Sequence, residues 1–297
     1  MSTVELITVD DLATTPAPVG SRRRALRRLL RNPLALSGLI VVVIALVGAL
    51  LANLVAPYAF DQTDFSAALQ PPSPAHWFGT DELGRDQFSR VLFGLRASVL
   101  VAAMSVALSM IVGVPLGLAA GFYGFLDPVV SRLTDTLLSF PFLILAVGLA
   151  AILGPSLTTA TVAIGIAQVP AVIRVTRGET LRLRGLDFVA AAVADGAGDG
   201  VVLRRHIFPN ALNTLIVQAT VAAPAAIIGE AVLSFLGLGI RPPAPSLGVM
   251  LASAQPLFRD GPWMAVIPGV SIVVVALGLN LLGDGLRDAL DPRESRR

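Results

Sequence analysis

Apolar residues along this chain run in long uninterrupted stretches. A membrane-spanning helix needs about 20 mostly apolar residues, because the hydrocarbon core of a bilayer is about 30 Å thick. Six stretches come close to or exceed that length: residues 34–55, 99–118, 136–153, 158–173, 212–238 and 263–282. The pattern therefore predicts an all-α, polytopic integral membrane protein with six transmembrane helices.

The placement of arginine predicts how these spans are oriented. Short cytoplasmic loops of membrane proteins hold an excess of arginine and lysine. If the N-terminus lies inside, most of the 22 basic residues also lie inside. The exceptions are Arg85, Arg90, Arg96, Arg241 and Arg259. We therefore expect both termini in the cytoplasm and a multi-pass protein of the cytoplasmic (inner) membrane.

The same pattern divides the chain into consecutive parts. Residues 1–32 form a cytoplasmic tail, which starts with a disordered lead-in (1–20) and ends with the basic juxtamembrane helix SRRRALRRLLRN. The remaining parts are a first transmembrane helix (33–56), an external segment (57–95), a five-helix core (96–283) that includes a cytoplasmic loop (174–210), and a cytoplasmic tail (284–297).

Composition excludes several functions. The 297 residues are 55% apolar and 14% charged, and they include neither lysine nor cysteine. A phosphate-binding Walker lysine, a Schiff base, a disulfide and a thiolate metal site are all excluded. The two histidines lack metal-ligand spacing, and the net charge of +2 gives no reason to expect nucleic acid. We expect no enzyme activity and no cofactor bound by this chain.

The loop within 174–210 is predicted to form two short helices. Asp187 can cap the first helix, and the glycines that begin at Gly196 can end it. Asp199 can cap a second helix, which Pro209 would end. The prediction is a helix–turn–helix outside the membrane.

The spacing A-A-A-x3-G-x9-H-x-F-P in this loop resembles the signature EAA-x3-G-x9-I-x-L-P of permease subunits of ABC importers. In that family the loop is the coupling helix, which docks in a cleft of a cytoplasmic ATPase. Ala190 replaces the signature glutamate, which would complete a capping box with Asp187, so the helix start should be weaker by about 0.5–1 kcal/mol. The resemblance implies a coupling role for Asp187, Ala190, Ala191, Ala192, Gly196, Asp199, Arg204, Arg205, His206, Phe208 and Pro209.

A second motif precedes the second span. Residues 76–102 (HWFGTDELGRDQFSRVLFGLRASVLVA) resemble the segment found at this place in oligopeptide, dipeptide and nickel ABC permeases. Asp86 and Arg90 stand four residues apart on a helix expected to face water, a pair worth about 0.3–0.5 kcal/mol. Two interpretations stay open for Asp81, Arg85, Asp86 and Arg90: a solvated, capped helix, or an external gate or docking site for a substrate-binding protein.

Glu230 is the one charged residue well inside an apolar stretch. A carboxylate there is costly unless it is paired, protonated or facing water, so it either lines the translocation path or makes a structural hydrogen bond. Gly113, Gly117 and Gly121 recur every four residues in the second span, a spacing that permits close helix contact.

Together the motifs resemble the C-type permease subunit of dipeptide and oligopeptide (nickel) ABC importers. The resemblance implies a type I ABC importer permease fold that moves dipeptides or short oligopeptides by alternating access. It also implies as partners a homologous permease subunit, two cytoplasmic ATPase subunits that hold ATP and Mg, an external substrate-binding protein and the lipid bilayer.

Two other classes of function fit the sequence less well. A stand-alone ion-coupled secondary transporter usually has repeats and several ionisable residues at the midplane, whereas here Glu230 stands alone. A membrane-embedded enzyme needs a cluster of acids, histidines or a nucleophile with its base, and the sequence shows none. The same permease fold could also carry nickel or another small solute.

Overall fold

The computed structural model describes residues 27–290. The predicted disordered lead-in, most of the tail up to residue 26, and residues 291–297 lie outside this range. The part of the basic juxtamembrane helix that is described is helical up to Arg31.

Within residues 27–290, long α-helices make up most of the fold, and the isolated bridge between Thr80 and Asp86 is the one β-pairing. The α-helices of eight residues or more are α1 (Pro33–Leu50), α2 (Gln87–Phe122), α3 (Asp127–Leu138), α4 (Phe142–Leu153), α5 (Leu157–Arg184), α6 (Asp187–Ala194), α7 (Phe208–Phe235), α8 (Leu247–Ala254) and α9 (Trp263–Leu290). Shorter helical pieces are Ala52–Val55, Phe65–Ala67, Asp199–Val201, Val202–Ile207 and Gln255–Leu257.

Five of the six predicted spans correspond to single helices long and apolar enough to cross a membrane, namely α1, α2, α5, α7 and α9. The third, predicted as one helix over 136–153, is instead the pair α3 and α4, which meet at an angle of 89°. Pro141 explains this difference, because proline has no N–H to donate and disfavours helical angles in the residue before it. Pro141 is extended and forms the N-cap of α4.

Different elements pack together at the two ends of the bundle. At one end, Leu29 and Ala35 pack against Ala289, so both limits of the described chain lie together there. At the other end, Leu247 and Met250 of α8 pack against Val91 near the start of α2. The segment between α1 and α2 also lies at this second end.

The helices α2 and α5 touch at the backbone along the glycine stripe of α2. A side chain at any of these glycines would collide with α5, as the sequence pattern predicts for a close contact. The distances from an ideal Cβ on Gly113, Gly117 and Gly121 to the Cβ of Val172, Thr176 and Thr180 are 2.7, 2.5 and 2.6 Å, respectively.

We expect Gly117→Ala to destabilise the permease by about 1–3 kcal/mol, because the added methyl group overpacks the α2–α5 contact. The matched control is Gly178→Ala in α5, where the new Cβ meets no atom within 4 Å. This control should be neutral or slightly stabilising, because alanine favours helix. Thermal unfolding in detergent measures both, and equal melting temperatures would contradict the close contact.

Candidate functional site

The predicted coupling loop, 174–210, begins inside α5, which continues to Arg184. Its first helix, α6, starts at Asp187, and its N-cap is Leu186, which has extended backbone angles. The prediction that Asp187 is the cap was therefore wrong by one residue. The reason is a tight turn in which the N–H of Leu186 bonds to the carbonyl of Leu183, so the chain leaves the α5 helix one position earlier.

This shift also changes the interpretation of Ala190. Counted from Leu186, Ala190 is the fourth helical residue and Val189 the third, so a glutamate at 190 would not complete a capping box. The predicted loss of capping energy therefore does not apply. Ala190 is exposed and lines a cleft between α6 and the turn that follows α2.

Gly196 ends α6, as the sequence predicts. Its φ of +84° lies in the left-handed region that favours glycine. The N–H of Ala197 bonds to the carbonyl of Ala192, and the N–H of Gly196 bonds to that of Val193, both at 3.0 Å. These two bonds form a Schellman motif.

The second predicted helix is not a separate element. Asp199 is its first residue rather than its cap, which is Gly198. The helix continues through the π-helical turn Val202–Ile207 into α7, so Pro209 does not end it. A π-helical turn rearranges the local hydrogen bonds, which lets the helix pass a proline that cannot donate one.

The inner face of the loop is apolar and buried. Val189 is 3% exposed, and Val202 and Ile207 are fully buried. They share one hydrophobic cluster with side chains from α2, α5 and α7. The loop therefore sits on the junction of three membrane helices, and its position is tied to theirs.

Part of the loop is exposed within residues 27–290. Phe188 is 38% exposed, and Val193, one helical turn after the buried Val189, is 56% exposed and lines the cleft beside α6. Among the other predicted coupling residues, Ala192 is buried, His206 is half-buried, and those exposed are Asp187, Ala190, Ala191, Gly196, Asp199, Arg204, Arg205, Phe208 and Pro209. Sequence reasoning found the exposed part of the loop but missed the anchors Val189, Val202 and Ile207.

The second predicted site, before α2, is a buried polar network. The Asp81 carboxylate accepts hydrogen bonds from the N–H groups of Leu83 and Arg85 at 2.9 Å and from Arg85 Nε at 2.6 Å. The Arg90 Nε lies 3.5 Å from the same carboxylate, and Arg90 Nη1 donates to the carbonyl of Phe60 at 3.0 Å. This network fixes the start of α2 to the external segment.

Asp86 lies at the start of α2. It is the N-cap of α2, accepting from the N–H and the hydroxyl of Ser89 at 2.8 Å, and it lies 3.0 Å from His76 Nδ1. Asp86 and Arg90 are each 2% exposed, so the expectation of a pair facing water was wrong. A docking role for Asp81, Arg85, Asp86 and Arg90 stays a prediction.

Two glycines of the sequence FGTDELG in this segment have left-handed backbone angles. Gly84 has a φ of +70°, and a side chain there would overlap the carbonyl group of Asp64. Gly79 has a φ of +75°, and a Cβ would lie 2.7 Å from Trp263 Nε1. That indole N–H donates to the carbonyl of Thr80 at 3.0 Å, joining the segment to α9.

Glu230 in α7 is fully buried within this chain. Its carboxyl oxygens accept hydrogen bonds from the hydroxyls of Ser98 at 2.5 Å and Ser234 at 2.7 Å. Ser246, which caps α8 through the N–H of Val249, lies near this carboxyl. Glu230 thus joins α2 to α7 beside the start of α8, and sequence reasoning missed all three serines.

Two family matches cover most of the chain. Residues 113–296, which contain the loop and α6, match the binding-protein-dependent transport system inner membrane component. The chain belongs to this family. Residues 21–72 match the N-terminal transmembrane domain of oligopeptide transport permease C. The chain is therefore a multi-pass protein of the inner membrane.

Curated relatives match over nearly the full length. The chain is 44% identical to the dipeptide transport system permease protein DppC of Alkalihalophilus pseudofirmus, covering 91% of this chain and 90% of that protein. It is 42% identical to the di/tripeptide transport system permease protein DppC of Pseudomonas aeruginosa (88% and 89% covered). It is 40% identical to the glutathione transport system permease protein GsiD of Pectobacterium atrosepticum (90% and 89% covered).

A solved structure shares the fold. The chain superposes on the methionine ABC transporter MetNI in an inward-facing conformation with a TM-score of 0.57 and 20% identity. The match covers 68% of this chain and 96% of the other. This likeness confirms the predicted fold class, a type I ABC importer permease.

We expect Val189→Ala to loosen α6 by about 2 kcal/mol, because it removes two buried methyl groups from the cluster beneath the helix. Hydrogen exchange of the α6 amides should then become roughly 30-fold faster. The exposed Val193→Ala is the matched control and should leave exchange unchanged. Identical exchange in both variants would contradict the anchoring role of Val189.

Proposed function

We propose that this chain is one permease subunit of an ATP-driven importer that moves dipeptides or short oligopeptides into the cytoplasm. It pairs with a homologous permease, and two ATPase subunits on the cytoplasmic side bind and hydrolyse ATP with Mg. An external substrate-binding protein delivers the cargo. The cycle is alternating access, in which closure of the ATPases reorients the membrane helices.

The geometry of α6 carries this proposal. A helix that transmits force between subunits needs one face fixed to the moving helices and another free to dock. Val189 holds the inner face on the cluster shared by α2, α5 and α7, while the side chains of Phe188 and Val193 are exposed. The family match includes this loop, and the relatives named above are transport permeases.

The arginine distribution supports placing α6 in the cytoplasm. The bundle end that carries α6 also carries the exposed or half-exposed arginines of α5 and of the turn before α7. An excess of arginine is typical of cytoplasmic loops. These residues are Arg174, Arg177, Arg182, Arg184, Arg204 and Arg205.

The opposite end would then receive the binding protein. Asp81, Arg85, Asp86 and Arg90 are each at most 8% exposed, so their contribution to docking would be indirect. Their network would hold the external segment in one shape. Exposed side chains of the same segment, such as Phe65 and Trp77 at 72% and 62%, are available for contact.

Glu230 would act in the same cycle through α8. Because the carboxyl is fully buried, it does not line an open path in this chain. Its bonds to Ser98 and Ser234 connect two membrane helices, and Ser246 at the start of the short external helix α8 lies near the same carboxyl. We propose that Glu230 keeps α8 in register with the bundle as the helices move.

Glu230→Gln should lower uptake while leaving expression and melting temperature near wild type, because glutamine keeps the volume but loses one acceptor oxygen. Glu230→Ala should also lower the melting temperature, since each unpaired buried hydroxyl costs about 1–3 kcal/mol. Uptake assays and thermal unfolding measure the two effects. Wild-type uptake by the glutamine variant would refute a role in transport.

The proposed function is tested by reconstituting this chain into vesicles with its permease partner, the ATPases and the binding protein. We expect vanadate-sensitive uptake of labelled dipeptide that is lost when either the ATPases or the binding protein is omitted. Uptake driven by a proton gradient with this chain alone would instead support the ion-coupled transporter. Transport of a nickel chelate but not of peptides would contradict the proposal that the cargo is a peptide.

A further inference from the structure

The second half of α5 carries two arginines that bind α3, the first helix of the bent pair α3 and α4. Arg174 Nη2 donates to Asp135 Oδ1 at 2.6 Å. Arg177 forms a bidentate pair with Asp127, through Nε to Oδ1 and through Nη2 to Oδ2 at 2.8 Å. These contacts join residues 39 and 50 positions apart in sequence.

A third arginine binds just before α3. Arg184 Nη1 donates to the carbonyl of Phe122 at 2.9 Å, and its guanidinium lies 5.6 Å from the centre of the Phe122 ring. Phe122 is the last residue of α2. At 3.6 residues per turn, positions 174, 177 and 184 fall on one face of α5. We call these three side chains the arginine face.

Apolar burial contributes little to the position of α3. Thr134 is its one buried residue, and Val129 and Leu133 are 69% and 61% exposed. The hydrophobic cluster that anchors the α6 loop includes no residue of α3. The ion pairs therefore add contacts to α5 near both ends of α3, with Asp127 at its first residue and Asp135 in its last turn.

The arginine face also lies next to the coupling loop. Only Gly185 and Leu186 separate Arg184 from α6, so a displacement of α6 acts directly on the end of α5. A short break at residues 139–141 joins α3 to α4 at an angle of 89°. A bidentate arginine–carboxylate pair constrains orientation as well as distance, so it can turn α3 together with α5.

We propose that the arginine face transmits the displacement of α6 to α3 and through it to α4. The arginines are positioning residues for transport, and they touch neither cargo nor nucleotide. This inference rests on the proposed function, because it assumes that α6 is displaced by the ATPases. It assigns the link between α6 and α3 to Arg174 and Arg177, while Arg184 holds the end of α2 against the same face of α5.

The test is a charge reversal in the reconstituted transporter. Arg177→Asp and Asp127→Arg each place like charges together, and the double variant restores an opposite pair. We expect each single variant to lower the dipeptide transported per ATP hydrolysed by about tenfold, within the usual range for coupling between sites. ATP hydrolysis itself should continue, and the double variant should recover most of the ratio.

The control is an ion pair whose two residues both lie on α5. Arg182 binds Glu179 at 2.7 and 2.9 Å, and Arg182→Asp with Glu179→Arg swaps those charges within α5. This swap should leave the transport ratio unchanged. If the single reversals at 127 and 177 also leave it unchanged, the proposal is overturned.

A second measurement follows the helices directly. Because the chain has no cysteine, spin labels can be placed at Val129→Cys and Leu181→Cys without background. We expect one narrow α3–α5 distance with and without ATP, and a broad distribution in Arg177→Asp. A narrow distribution in that variant would overturn the proposal.

The remaining outcomes are also decisive. If the single variants fail to assemble, recovery of both assembly and the transport ratio in the double variant supports the pair, and failure to recover overturns it. If the wild-type complex shows no ATP-driven uptake, it is the proposed function that fails, while the distance measurement still decides whether the arginine face holds α3.

Discussion

The close contact between α2 and α5 is the constraint on which the rest of the structure depends. Small residues let two helices approach in a membrane, where no hydrophobic force drives them together. Gly121 lies against Thr180, one turn from the point where Arg184 meets Phe122. A wider α2–α5 spacing would separate that pair and open the cluster beneath α6. The glycine stripe therefore sets the geometry of the coupling loop.

The second constraint is that polar groups within the bundle must find partners inside the protein. Glu230 is paired with serine hydroxyls, and Asp81 is paired with backbone N–H groups and two arginines. In both places a carboxyl group joins elements distant in sequence. Polar side chains thus fix the bundle end that carries α8, whereas an apolar cluster fixes the loop at the other end.

Features that depend on residues near one another in sequence could be predicted. Apolar length predicted five spans, the i, i+4 glycines predicted a close helix contact for α2, and Gly196 predicted the end of α6. Predictions were wrong where the backbone left a helix one residue early or where a helical turn was irregular. Leu186 turns out of α5 one position early, which shifted the cap from Asp187, and the π-helical turn carried the helix past Pro209.

Partners distant in sequence could not be predicted, because nothing in the local pattern pairs them. Ser98 and Glu230 are 132 positions apart, and Arg177 and Asp127 are 50 apart. The burial of Asp86 and Arg90 was missed for the same reason, since the segment that covers them includes Phe60, 30 positions away. The spacing of Asp86 and Arg90 on the helix gave no information about the segment that buries them.

The central claim is that α6 docks on an ATPase from the cytoplasmic side. The most direct measurement is photo-crosslinking in the assembled transporter, with a cysteine-directed probe at Val193→Cys on α6 and, as control, at Phe65→Cys in the external segment. We expect the probe at 193 to crosslink to the ATPase and the probe at 65 never to do so. The absence of an ATPase crosslink at 193, or labelling of that position from outside the cell, would contradict the account.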